Sequence, residues 1–434
     1  MIRHRYLVAL VDAGGNVPPE LGVVRRLVER GHLVTVLAED SVADEVRHTG
    51  ATLRRWLRAP NRPDRRPEHD PARDWECRSP WQMVARLTSR LLVGPAAAYA
   101  ADVGAAIVDA RPDLVLCSMF CLGAMVAAQA ADVPYDVVLP NIYLLPASGL
   151  PPFGLGLQPA VGMLGRLRDR ALTAFSTRLW DRHGLAGLNA VRAAHHLPPL
   201  AHLFDQVHLA RRQLVLTARR FEFPAAFPSN VRYVGPILDD PAWAERAPWT
   251  PPDGEGPLIL VAMSTTFQDQ VGALQRVIDA LGGLPVRGLV TTGPALEPSA
   301  LTPRPNVTVV SRAPHSQVLQ HASLVVTHGG HGTAMKALAA GVPMLILPHG
   351  RDQADTAARV TARGAGIVLR PNARPAALAA AIRQLLQRDR YGAAARALGD
   401  AIRHEIDATA LLRELETISS DADASCSTRS IEGG

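Results

Sequence analysis

The 434-residue sequence predicts an α/β protein whose two parallel-sheet halves face each other across a cleft. Three observations carry the prediction. Short apolar runs alternate with helical patterns from the start of the chain, the alternation stops in a proline- and glycine-rich stretch at 236–257, and it restarts at 258 in the same layout. Strands that alternate with helices build a parallel sheet covered on both faces, and such sheets bind ligands at the carboxyl ends of their strands. The expected division is a first half at 1–235, a linker at 236–257 and a second half at 258–418. The last helix is free to pack back on the first half, and 419–434 forms a polar, aperiodic tail expected to be disordered.

In the first half, the apolar run 6–11 ends at Gly14-Gly15-Asn16, and a helical pattern follows at 18–30. Gly31 closes that helix before a second apolar run at 32–38. "PDLVLCSM" at 112–119 and "YDVVLP" at 135–140 read as further strands between alanine-rich helices, whereas 58–80 and 146–165 read as long irregular loops. Loops of that length inside a compact domain are functional or disordered. In the second half, strands are expected at 258–264, 286–293, 307–312, 324–329 and 343–348, with a helical run at 375–416.

Composition narrows the function. A net charge of +6 from 46 basic and 40 acidic residues, spread along the chain, is a solvated surface rather than a nucleic-acid footprint. It is compatible with an anionic small-molecule ligand. The four scattered cysteines form no zinc-type spacing, so neither a metal nor a disulfide framework is expected. No signal peptide and no apolar stretch long enough to span a membrane is evident, and the expected setting is the cytoplasm, as a monomer or homodimer without stable membrane insertion.

The specific chemistry lies in "SRAPHSQVLQHASLVVTHGGHGTAMKALAAGVPMLILPHGRDQADTAARV" at 311–360. A strand runs into His328-Gly329-Gly330-His331-Gly332-Thr333, and a helix starts there. Glycines let the backbone approach a ligand, and free N–H groups at a helix N-terminus suit a diphosphate. Asp352 and Gln353 follow the next strand at the same sheet edge, an acid and an amide fit to hold vicinal sugar hydroxyls.

The chain here resembles the family 1 glycosyltransferases of GT-B fold, in their bacterial natural-product, macrolide-type branch, and is similar to the glucuronosyl- and glucosyltransferases that use uridine diphosphate sugars. The matching pieces are "APHSQVL", "THGGHGT", "ALAAGVP" and "P…DQADTAARV", in family order. The resemblance implies two Rossmann-like domains and a nucleoside diphosphate sugar as co-substrate, with no other cofactor and no metal. It implies that Arg312, Ala313 and Val318 hold the nucleobase. His328, Gly329, Gly330, Gly332 and Thr333 would hold the diphosphate with Ser264 and Thr265, and Asp352 and Gln353 would face the donor sugar. Lys336 stands where many uridine-nucleotide enzymes of the family have a glutamate that accepts both ribose hydroxyls. A lysine accepts neither, which points to a thymidine diphosphate (deoxy)hexose as donor.

The first glycine loop departs from the family. Where relatives carry a histidine that deprotonates the acceptor, this chain has Asn16, and an amide takes no proton at neutral pH. Three readings stand: an inverting enzyme with another base or an acidic acceptor; a transferase to carbon or nitrogen; and a binding protein that helps another enzyme. Asp12 is the first candidate base, with Asp136, His315, His349, His69, Asp70 and Asp74 behind it. A small hydrophobic aglycone is expected to lie against loops 58–95 and 140–165, with Trp81, Asn141 and Tyr143 as contacts and Trp56, Trp75, Met83 and Phe153 nearby.

Overall fold

The computed structural model describes residues 2–406 and 408–418. The expected tail at 419–434 lies outside these residues. The first half carries strands β1 (Arg5–Ala9), β2 (Leu33–Ala38), β3 (Thr52–Arg55), β4 (Leu114–Ser118), β5 (Tyr135–Leu139), β6 (Arg212–Val215) and β7 (Val231–Tyr233). The second carries β8 (Leu258–Ala262), β9 (Arg287–Thr291), β10 (Val307–Val310), β11 (Ala322–Thr327), β12 (Met344–Ile346) and β13 (Gly366–Val368). Each half is a single parallel sheet, in the orders β3-β2-β1-β4-β5-β6-β7 and β10-β9-β8-β11-β12-β13. The strand order reverses beside β1 in one sheet and beside β8 in the other, so each sheet opens a crevice at the carboxyl ends of its first strand. These two crevices face each other.

The central strands are buried on both faces, which is why they read as unbroken apolar runs: β4, β5 and β8 have no exposed residue. The helix Val17–Glu29 follows from spacing. Val17, Leu21, Val24 and Leu27 recur at helical intervals and are all buried against the sheet, and Gly31, at φ +91°, turns the chain into β2. Strands β3, β6, β7 and β13 escape the sequence reading because they are short edge or near-edge strands without a sustained apolar pattern.

Two features differ from expectation. The supposed loop at 146–165 gives way after residue 161 to a 33-residue helix, Gly162–Ala194, whose mixed polarity hides its periodicity. The helical run Pro80–Ala110 does have the length and mean hydropathy, 1.7, to cross a membrane, contrary to the expectation that no such stretch exists. Its best window is 56% buried in the fold, and the run is interrupted by a π turn at Thr88–Leu92 and by Gly94-Pro95. Its second part sinks Tyr99, Ala100 and Val103 into the first half's core, as a core helix of such composition does.

The helix Ala408–Glu416 packs on the first half. Leu411 and Leu415 join the core beneath β1 and β2, the Tyr6 hydroxyl donates to the Leu415 carbonyl at 3.2 Å, and Glu416 accepts from Arg30 at 2.9 Å. The chain thus crosses between the halves twice, once through the linker and once here.

Candidate active site

A continuous cavity of about 350 Å³ runs between the halves, lined from the first-half loops to the glycine-rich turn of the second. On the first-half side, β1 leads into Asp12 to Asn16. Gly14 sits at φ +93°, and a Cβ there would lie 2.5 Å from Thr266 Cγ2 of the opposite half. Only glycine permits that approach, so the loop's glycine serves domain contact.

Asn16 lines the cavity, yet its amide is mostly committed elsewhere. The Ala13 N–H donates to Oδ1 at 3.0 Å, and Nδ2 donates to the Val11 carbonyl at 2.8 Å and to Glu20 Oε1 at 3.1 Å. Both amide protons are used, leaving one oxygen lone pair for a ligand. Glu20, one helical turn on, is fully buried and also accepts from Ser118 Oγ at 2.9 Å. Burial pushes its carboxyl up to about 8, against the lowering effect of the Asn16 and Ser118 hydrogen bonds. The sequence reading passed over Glu20, although its position four residues after Asn16 on a helix was the available signal.

Asp12 corrects an expectation. Its carboxylate is enclosed, with Arg65 Nε at 2.8 Å, Arg62 at 3.0 Å, Ser41 Oγ at 3.0 Å and the Gly14 N–H at 2.9 Å. Burial raises its pKa, but Arg65 and Arg62 more than offset that and hold it below the usual carboxylate range. A carboxylate so stabilised is a poor proton acceptor. Of the other candidates, Asp136 is buried at the start of β5, where Arg211 holds it away from the cavity. His69 pairs with Asp64 at the surface, and His349 Nδ1 donates to the Leu347 carbonyl of its own loop at 2.8 Å rather than lining the cavity. Asp74 is bound by Arg351. Asp70 and His315 do line the cavity; burial and then Lys336 push His315 down to about 4.

On the second-half side, β8 delivers Ser264 and Thr265, and β11 delivers His328 and the turn. The helix His331–Ala339 starts there with no side-chain cap, so its first N–H groups point free into the cavity. Gly332 has open space where a Cβ would be. Gly329, at φ +95°, is not part of the lining; a Cβ there would meet Ile346 at 2.8 Å, so its role is to fold the turn. His328 is buried, and burial, then His349 and Arg351, push it down to about 3. It is therefore a neutral hydrogen-bonding group in the cleft. His331 Nε2 lies 2.8 Å from Thr217 Oγ1, tying the turn to the first half.

Asp352 and Gln353 open the next helix. Asp352 lines the cavity, is pushed up to about 6 by burial, and receives a hydrogen bond from Asn141 across the cleft. Asn141 keeps its Oδ1 buried and without a protein partner. Gln353 Oε1 accepts from the His349 and Gly350 N–H groups, so that side of the amide braces the loop. Arg312 and Ala313 line the far end beside Trp243. Val318 does not; it is fully buried in the second-half core, one helical turn too deep.

The acceptor-side end of the lining is mostly apolar: Leu87, Leu91 and Leu92, Met119 and Phe120, Leu144, Leu145 and Leu150, Phe153, and Trp180 and Phe204. Trp180, with Thr173 and Thr177, comes from the long helix the sequence reading did not find. Tyr143 borders this chamber but is buried, with its ring edge-on to Phe227. Trp81 lies outside it, half exposed against Phe175, and Trp56 is core. Trp75 packs on Phe267 of the second half, and beside it Arg351 clasps Asp74 at 2.6 and 3.0 Å while also donating to the Ala13 carbonyl and Thr266 Oγ1. Arg351, at φ +56°, thus ties the 58–80 segment to the loop carrying Asp352. Its signal was the "RDQ" triplet itself.

Comparison with known proteins agrees with this architecture. Residues 275–417 match the C-terminal domain family described as erythromycin biosynthesis protein CIII-like. The 4'-demethylrebeccamycin synthase of Lentzea aerocolonigenes is 29% identical over 387 residues, covering 84% of this chain and 87% of that protein. Among solved structures, the glycotransferase of kitacinnamycin superposes with a TM-score of 0.76 at 23% identity, covering 97% of this chain and 100% of that one. The glycosyltransferase VinC, solved in complex with DTDP, superposes with a TM-score of 0.67 at 20% identity, covering 95% and 99%. With its facing parallel sheets, the shared motifs and homologues named as glycosyltransferases, the chain is a nucleotide-sugar-dependent glycosyltransferase of GT-B fold, similar to the family 1 natural-product enzymes.

Proposed function

We propose that the protein moves a (deoxy)hexose from a thymidine diphosphate sugar to a small apolar natural-product acceptor with inversion, and that Asn16 takes no proton in the reaction. One observation carries the reading: the glycine turn and the apolar chamber are opposite ends of a single cavity, with Asp352 and Asn141 between them. A diphosphate on the N–H groups of 330–333, with Ser264 and His328 beside it, leaves the sugar at Asp352 and its anomeric carbon toward the chamber. An acceptor hydroxyl that has released its proton to solvent attacks that carbon on the face opposite the phosphate; the new carbon–oxygen bond forms as the old one breaks, and the diphosphate leaves with the electron pair. The free N–H groups stabilise the developing charge without reorganising. The DTDP bound by VinC supports the nucleotide.

With Asn16 clamped and Asp12 neutralised by two arginines, the chemistry favours an acceptor whose nucleophile is itself acidic, such as a phenol or an enol. Mass spectrometry of the protein incubated with thymidine and uridine diphosphate sugars and a panel of phenols, enols and alcohols tests this. A hexose mass gain confined to the acidic acceptors is expected; equal or faster transfer to simple alcohols would refute the baseless reading.

A further inference from the structure

A helix on the surface of a globular protein turns its apolar stripe to the core and its polar face to water. The opening turns of the helix Gly162–Ala194 do the reverse. Met163, Leu164, Leu167 and Phe175 recur at helical spacing on one side and are 77%, 81%, 63% and 47% exposed. The side turned to the body carries Asp169, which is buried, and Thr173, Ser176 and Thr177, which line the cavity. Trp81 widens the apolar side, half exposed and edge-on to Phe175 at 5.0 Å between ring centroids. The chain entering the helix adds Leu155 and Val161, also exposed. Large apolar side chains gathered on one outward face, rather than scattered singly, mark an interaction site.

Arginines rim this stripe. By helical geometry Arg168 flanks it on one side and Arg166 and Arg170 on the other, and Arg178 stands at its far end; all four are exposed. Asp169, the one acid in 161–180, is buried and paired with Arg168 Nη2 at 2.7 Å. The outward face is therefore apolar along its middle and cationic at its margins. Two copies joined by a two-fold axis through this face would set the arginines against their own kind. An anionic lipid surface fits both parts: the acyl boundary takes the leucines and the methionine, and the headgroup phosphates take the guanidiniums.

We infer that this face docks on an anionic phospholipid surface, with the helix lying in the interface plane rather than spanning the bilayer. The same helix lines the cavity from its other side through Thr173, Thr177 and Trp180, and Phe153 is both exposed and part of the lining. Docking sets the apolar chamber beside the lipid, where an apolar acceptor is concentrated. The docking goes beyond the transfer reading and does not depend on it, because vesicle binding needs neither donor nor acceptor.

Flotation of the full chain with lipid vesicles tests the inference. Vesicles of phosphatidylglycerol and phosphatidylethanolamine should carry the protein, and vesicles of phosphatidylcholine should bind it about tenfold more weakly. Leu164→Ser/Leu167→Ser, which keeps every charge, and Arg166→Gln/Arg170→Gln, which keeps every apolar side chain, should each weaken binding to the anionic vesicles about tenfold. Val108→Ser, at a 73% exposed position on the helix Ala96–Ala110, should leave binding unchanged. All of these side chains are exposed, so the variants keep the fold, which circular dichroism checks. Absence of flotation with anionic vesicles overturns the inference. So does a serine variant that binds like the parent, which would mean general adsorption of a basic chain. A parent that sediments as a dimer, ignores vesicles and becomes a monomer in the serine variant would assign the face to a second copy instead.

Discussion

Glu20→Gln should make the protein more stable at alkaline pH, although it removes a charge from a polar cluster. Glu20 is buried beneath the Asn16 loop, with Asn16 Nδ2 at 3.1 Å and Ser118 Oγ at 2.9 Å on one oxygen, and among the described residues no arginine or lysine pairs with it. Its carboxyl is pushed from 4.5 to about 8 by burial. The folded-state pKa lies above the unfolded one, so the folded protein holds a proton that the unfolded chain has already lost. Stability from this group therefore falls as pH rises from 4.5 to about 8 and is flat beyond. At 1.36 kcal/mol per pH unit the full penalty is roughly 5 kcal/mol. Glutamine keeps the carbonyl that Asn16 and Ser118 donate to and never ionises. The difference in urea-unfolding free energy between variant and parent, taken for the first-half transition from pH 4.5 to 9, should climb from near zero to several kcal/mol. Other raised acids, such as Glu39 at about 7, cancel in that difference. A flat difference, or a variant less stable at pH 8, would mean that Glu20 is charged in the folded protein and that its role beneath the loop has been misassigned.

Asp12→Asn should cost about 3–5 kcal/mol of stability, because it leaves Arg62 and Arg65 facing an unpaired buried position. The pH profile of any remaining transfer should keep its shape, and loss of its alkaline plateau would reinstate Asp12 as the base. Asp74→Asn should loosen the Arg351 clasp, speed proteolytic cleavage within 58–80 severalfold, and raise the donor KM more than it lowers kcat. Unchanged cleavage would show that the clasp does not hold the segment.

Much of the architecture was legible because it is written locally. The alternation of apolar runs and helical patterns, the glycine turn at 329–332 and the pairing of Asp352 with Gln353 are short-range features, and their chemistry follows from residue type and spacing. The sequence by itself also determined that residue 16 is an amide where a base is expected. What it could not decide was the state of a side chain, because that depends on groups far along the chain. Asp12 reads as a free acid until Arg62 and Arg65 fold over it, Val318 reads as a ligand contact until its short helix turns it into the core, and Trp81 reads as a cleft aromatic until the long helix pairs it with Phe175. Glu20, Asp240 and Arg351 acquire their character only when Ser118, Lys336 and Asp74 reach them across 98, 96 and 277 residues. Desolvation and ion pairing act through space, and only the packed halves put those partners within a few ångströms.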